Sequence, residues 1–171
     1  MNPKGSEEAR HGGSETPGGG EPAVIESAGP GETGAAGREL AAEIRPGDVI
    51  LLRGEVGSGK STMIRAAMRE LGVEGPIPSP TFTIGRRYRG RCPVSHLDLY
   101  RLGSIEDEDP GLLAEYFGPD RIVFIEWPGD AEPALSRMAR RLLTVSLEHL
   151  GGDRRRIELR RGVLDPGSTG G

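Results

Sequence analysis

The sequence predicts an α/β protein in which helices pack on a sheet that is partly parallel and partly antiparallel. Three observations carry this. Val49–Leu52 and Ile122–Ile125 are short, continuous apolar runs, the pattern of strands buried on both faces. Met63, Ile64, Ala67, Met68 and Leu71 follow the first run at helical spacing. Near the end of the chain Leu143, Val145 and Leu147 alternate, Gly151-Gly152 turns, and Ile157 and Leu159 alternate again, which reads as an antiparallel hairpin. Strand–helix alternation followed by a hairpin gives a layered, mixed sheet.

The chain has 171 residues, a length that suggests one domain. Its 28 glycines and 14 prolines are unevenly spread. Residues 1–31 hold eight glycines, four prolines and no aromatic, a composition that buries too little apolar surface to offset ordering entropy. This segment is expected to be a disordered extension, residues 32–161 the folded domain, and residues 162–171 a flexible tail. Net charge is −4, and the first 31 residues supply −3 of it (two basic, five acidic side chains). A nearly neutral folded part argues against a nucleic-acid coat or a polybasic membrane binder. One cysteine, Cys92, excludes an intrachain disulfide and a Cys-cluster zinc site. No apolar run approaches the ~18 residues of a membrane span, and the N-terminus lacks a signal-type apolar region, so a cytoplasmic location is expected.

The elements follow in order. Residues 32–44 are helix formers, with Leu40, Ala41 and Ile44 on one side and Pro46-Gly47 as the stop. The strand 49–52, a glycine-rich turn at 54–59 and a helix over 61–71 come next, with Gly72 closing the helix. After a Gly/Pro loop at 72–80, residues 81–88 and 94–99 read as strands around Arg89-Gly90. In the second, Leu97 and Leu99 share one face and His96, Asp98 and Tyr100 the other. A short helix is expected over 105–117, with Leu112, Leu113, Tyr116 and Phe117 as its apolar side. The strand 122–125 and the C-terminal hairpin complete the chain.

The informative segment is Gly54-Glu55-Val56-Gly57-Ser58-Gly59-Lys60-Ser61, which fits G-x-x-x-x-G-K-[ST] with a strand before it and a helix after. Glycines let backbone N–H groups wrap a polyphosphate where a Cβ would obstruct. The helix N-terminus adds unpaired N–H groups and a positive dipole end. Lys60 reaches β- and γ-phosphates and the Ser61 hydroxyl ligates Mg²⁺. Of 22 basic residues only Lys4 and Lys60 are lysine, so within the folded part the compact ammonium occurs only where the motif demands it. The fold class is therefore a three-layer P-loop NTPase-like sandwich.

Asn2 is the only asparagine, so no Asn-Lys-x-Asp guanine-reading segment exists and ATP is the expected nucleotide. Glu126 ends the apolar run 122–125, a good place for a carboxylate beside the phosphate loop, because ligands sit at the carboxyl ends of parallel strands. Asp98 is a second candidate acid. Each could instead be a structural carboxylate. His96 reads more readily as a packing or hydrogen-bonding residue than as a catalyst, and His11 and His149 receive no role.

Taken in order, "PGDVILLRGEVGSGKST" (46–62), "SPTFT" (79–83), "HLDLYRL" (96–102) and "IEW" (125–127) resemble the TsaE family, small bacterial ATPases of tRNA threonylcarbamoyladenosine biosynthesis. The resemblance spans about residues 32–161. It implies slow ATP hydrolysis and action with a TsaD–TsaB pair, in which TsaD performs the threonylcarbamoyl transfer to tRNA while the TsaE cycle resets the complex. tRNA contact would then be indirect. It further implies that Gly57, Ser58, Gly59, Lys60, Ser61 and Thr62 hold the phosphates and that Ser61 and Glu126 hold Mg²⁺. Lys60, Asp98 and Glu126 are then the catalytic candidates. Trp127 lies at the edge of the site, Thr33 near the nucleotide, and residues 79–82 in a loop that responds to the γ-phosphate. The chain departs from the family pattern after "IEWP", where Gly129-Asp130 replace the usual acid–base pair. Arg86, Arg87, Arg89 and Arg91, and likewise Arg154, Arg155 and Arg156, are either solvated strand ends or a surface for an acidic partner or tRNA phosphates. Cys92 reads as an inert small residue. A small-molecule kinase, for which about 130 folded residues leave little room, and a non-hydrolysing ATP switch are the rival readings.

Overall fold

The computed structural model describes residues 21–80, 83–100 and 110–162. In chain order the elements are β1 (Ala23–Ser27), α1 (Pro30–Glu43), β2 (Asp48–Arg53), α2 (Lys60–Glu70), β3 (Gly85–Arg89), β4 (Pro93–Asp98), α3 (Pro110–Ala114), β5 (Ile122–Glu126), α4 (Glu132–Met138), β6 (Arg141–His149) and β7 (Arg155–Arg161). The described strands form one sheet in the order β1-β7-β6-β2-β5-β4-β3. Its centre, β6-β2-β5-β4, is parallel. Antiparallel strands β3 on one side and β7 with β1 on the other extend it. The mixed α/β sandwich expected from the sequence is the fold observed.

Side-chain alternation sorts the central strands into two cores. Ile50, Leu52, Ile122, Phe124, Val94, Leu143 and Val145 pack with α1 and α2 on one face. Val49, Leu51, Val123, Ile125 and Leu97 pack with Leu113 of α3 and Leu135 of α4 on the other. That same alternation puts His96, Asp98 and Glu126 on the α2 face. Gly37 lets the two helices of that face approach closely, since a Cβ there would lie 2.4 Å from the Met63 carbonyl oxygen.

Several expectations need correction. The disordered extension does not reach residue 31, because Ala23–Ser27 form an edge strand with Ile25 opposite Ile157 of β7. Averaging composition over 31 residues hid the run Ala23-Val24-Ile25, and an edge strand needs mainly backbone partners, so Val24 and Ile25 stay largely exposed. Helix α1 starts at Pro30, not Glu32: Gly29 is the extended cap and Pro30 sits in the first turn, where its missing N–H costs nothing. Strand β3 starts at Gly85; Thr83 and Ile84 are not strand, and residues 81–82 lie outside the described residues. Within the helix expected over 105–117 only 110–114 is helical among the described residues, and 101–109 lie outside them. Its end is closed by three-residue bonds, Tyr116 N–H to the Leu113 carbonyl (2.9 Å) and Phe117 N–H to that of Ala114 (3.4 Å), before Gly118-Pro119. Helix α4, with Pro133 in its first turn, was not anticipated.

No helix among the described residues is long and apolar enough to cross a membrane.

Candidate functional site

The parallel strands β2 and β5 end side by side, with Leu52 opposite Glu126. From the end of β2 the chain enters residues 54–59 and re-enters regular structure at Lys60, the first residue of α2. Positive φ values at Gly54 (139°), Gly57 (77°) and Gly59 (105°) curl the loop. Space forbids a side chain at its start: a Cβ on Gly54 would fall 2.4 Å from the Leu147 carbonyl oxygen and 2.7 Å from Ser58 Oγ. An internal turn, Ser58 N–H to the Glu55 carbonyl at 3.1 Å, closes the loop on itself.

Lys60 is buried to 4% exposure. Its Nζ donates to the carbonyls of Gly54 and Glu55, each at 2.8 Å, and lies 4.0 Å from the centre of the Trp127 ring. Burial pulls the amine below its ordinary value, and the carboxylates of Glu126 and then Asp98 oppose that pull. Next along α2, Ser61 Oγ lies 3.4 Å from both Glu126 carboxylate oxygens. Glu126 is itself buried, and its Oε1 is 2.8 Å from His96 Nε2. The other ring nitrogen of His96, Nδ1, is buried without a hydrogen-bond partner.

Asp98 stands opposite Glu126 across β4 and β5 and accepts from the Tyr100 N–H at 3.0 Å. Trp127 is the one described non-glycine residue with positive φ (56°), and its N–H donates to the Leu52 carbonyl at 3.3 Å. That turn folds the indole back beneath the Lys60 ammonium rather than onto the far face of the sheet. The exposed Tyr100 ring meets it edge-on, with 5.2 Å between centroids. Thr33 is buried beside the loop: its Oγ1 is 2.8 Å from Ser27 Oγ and donates to the Gly29 carbonyl (3.2 Å), while its methyl faces Gly59. Thr62 is half-buried in the first turn of α2 and Gly57 is exposed. The structure thus brings Lys60, Ser61, Asp98, Glu126 and Trp127 to one end of the sheet. Of the segment 79–82, Thr81 and Phe82 fall outside the described residues.

The donor set suits a magnesium-bound polyphosphate. The buried Ser58 Oγ lacks a partner, as a group awaiting one would. Two oxygens bound side by side to Mg²⁺ at about 2.0–2.1 Å lie roughly 3 Å apart, near the Ser61–Glu126 separation. No cluster of three or more His, Cys, Asp or Glu side chains able to hold a metal occurs among the described residues. Mg²⁺ does not need one, since it typically takes one or two protein oxygens and completes its shell with phosphates and water.

Sequence reading undervalued two residues. His96 is a packing-and-bonding histidine as expected, but its bond is to Glu126, and only the pairing of β4 with β5 shows that. Arg155, read as one member of a surface cluster, bonds to the loop itself. Elsewhere the arginine clusters are partly neutralised: Arg87 pairs with Glu115 and Arg91 with Glu70. Cys92 is half-buried, and burial, its largest influence, pushes its thiol pKa up, in keeping with an inert thiol. After the departure at Gly129-Asp130, the acid–base contact is Arg53 with Glu132 at 2.6 Å.

The family model described as "Threonylcarbamoyl adenosine biosynthesis protein TsaE" matches residues 27–157. A Bacillus subtilis protein named tRNA threonylcarbamoyladenosine biosynthesis protein TsaE is 37% identical over 129 residues, covering 75% of this chain and 78% of the relative. The protein of that name from Synechocystis is 40% identical over 103 residues, covering 54% of this chain and 61% of the relative. The crystal structure of Bacillus subtilis YdiB superposes with a TM-score of 0.66 at 28% identity, covering 84% of this chain and 87% of that one. A family model that spans most of the folded residues, relatives of one name and a matching solved fold agree: this chain belongs to the TsaE family.

Proposed function

We propose that this chain binds ATP with Mg²⁺, hydrolyses it slowly, and serves as the ATPase component of tRNA threonylcarbamoyladenosine modification in the cytoplasm. In this reading it acts with TsaD and TsaB and sustains their turnover without performing the transfer. One observation supports it above all: Lys60, Ser61 and the buried Glu126 converge where a glycine-curled loop meets a helix N-terminus. The names of the relatives supply the pathway.

The roles follow from the chemistry of each group. Loop N–H groups and the α2 N-terminus attract phosphate oxygens. Lys60 gives them a compact positive charge held by two loop carbonyls. Ser61 and Glu126 would hold Mg²⁺, which when bound neutralises charge developing on the phosphates. His96 keeps the Glu126 carboxylate turned toward Ser61. Asp98, one strand over, can orient an attacking water. Contact with tRNA passes through the partners.

The test is ATP hydrolysis by the chain alone and then with TsaD and TsaB. Slow turnover that the partners stimulate fits the proposal. Turnover that requires a small acceptor would indicate a kinase, and binding without turnover in either setting would indicate a switch.

A further inference from the structure

The phosphate loop is held from outside by a residue that its sequence motif does not contain. Arg155, the first residue of β7, reaches across 97 positions of chain to the loop. Its Nε donates to the Ser58 carbonyl at 3.1 Å and its Nη2 to the Gly57 carbonyl at 3.2 Å. Its Nη1 donates to the carbonyls of Gly152 (3.0 Å) and Arg154 (2.9 Å) in the hairpin turn. One planar guanidinium therefore joins two consecutive loop peptides to the β6–β7 turn. Arg can do this because its donors form a fixed fork, which a lysine ammonium lacks.

Orientation is the consequence. In a trans peptide the C=O and N–H point in opposite directions. Holding the Ser58 carbonyl outward turns the Gly59 N–H inward. Holding the Gly57 carbonyl likewise fixes the Ser58 N–H on the opposite side of its peptide, where it is bonded to the Glu55 carbonyl. Gly57 and Gly59 can each flip their peptides at little cost, so the loop's own sequence does not choose between carbonyl-in and N–H-in. A carbonyl-in loop would repel phosphate.

We infer that Arg155 is a positioning residue that fixes the 57–58 and 58–59 peptides and turns the Gly59 N–H toward the site, so that this part of a polyphosphate cradle exists before the ligand arrives. The inference rests on the nucleotide reading above for its ligand, but the loop orientation itself does not. Pre-orientation lowers the ordering cost of binding. The guanidinium of Arg155 acts on backbone carbonyls of the loop and hairpin, so its removal should raise KM and leave kcat nearly unchanged.

The test compares the parent with Arg155→Gln and Arg155→Lys, read first by amide hydrogen exchange without nucleotide. In Arg155→Gln, exchange of the Ser58 amide and its loop neighbours should be at least about threefold faster, with α2 and β6 unchanged. Calorimetry with ATP and Mg²⁺, and with pyrophosphate as a probe lacking the nucleoside, should show about tenfold weaker binding. KM for ATP should rise similarly, with kcat within about twofold. Arg155→Lys should fall between. Unchanged loop exchange overturns the inference, even if the variant melts lower, because Arg155 would then only staple the hairpin. Faster loop exchange in a protein whose parent binds neither probe would uphold the positioning role and defeat the nucleotide reading instead.

Discussion

The two acidic residues at the site sit in different surroundings, and their expected contributions separate. Glu126 is buried, bonded to His96 and 3.4 Å from Ser61 Oγ, whereas Asp98 is half-buried and engaged with a backbone N–H. Glu126→Gln and Asp98→Asn should each lower ATP hydrolysis by well over tenfold, since a lost transition-state contact is worth about 3 kcal/mol. Glu126→Gln should be the more severe and should also weaken the dependence on Mg²⁺. A parental rate in either variant, with partners present, refutes that residue's role. Lys60 adds a pH signature. In the proposed site Lys60 binds phosphate in its charged form, and burial lowers its pKa below the ordinary value of 10.5. ATP affinity should therefore decline as pH rises while ordinary lysines are still charged, which titrations between about pH 7 and 10 would detect. A flat profile to the upper limit would contradict the lowered pKa. Trp127, the only tryptophan, lies under Lys60 Nζ, so its emission should shift or quench saturably with ATP and Mg²⁺. The response should vanish in Lys60→Ala and be weaker with GTP; a flat titration in a protein that binds ATP by calorimetry would contradict it.

At the scale of elements, the segment before residue 32 has a definite structural share. Strand β1 covers the edge of β7, and Ser27 at its end bonds Thr33, whose methyl faces Gly59 of the loop. A chain lacking residues 1–31 should melt several degrees below one lacking residues 1–20, because the former loses a strand and the first residues of α1. Equal melting temperatures would show that β1 adds nothing to stability. This strand was illegible in the sequence for a physical reason. Its stability comes from backbone pairing with a partner more than 100 residues away, and its side chains are mostly exposed, so no burial pattern marks it. The buried strands β2 and β5 were legible because both of their faces are apolar. Helix α4 was not, since among its described residues only Leu135 is buried and Pro133 reads as a breaker. The loop contact of Arg155 is illegible for a related reason, as hairpin geometry rather than residue type aims it at the loop.

In the whole molecule, a mixed sheet sandwiched between two helical layers brings one loop, one lysine, one hydroxyl and one buried carboxylate together at the carboxyl ends of β2 and β5. The loop motif and Glu126 could be placed from sequence because the strand–loop–helix order is local and the acid directly follows a strand. Their convergence could not, because it depends on β2 pairing with β5 in a register that sets Leu52 against Glu126. The proposed function makes this convergence an ATP site. The most direct test is calorimetric titration of ATP and Mg²⁺ into the parent and into Lys60→Ala, with circular dichroism confirming that both are folded. Saturable binding by the parent and none measurable in the variant is the expected result. A folded Lys60→Ala chain that binds ATP with parental affinity, or a folded parent that binds none, would contradict it.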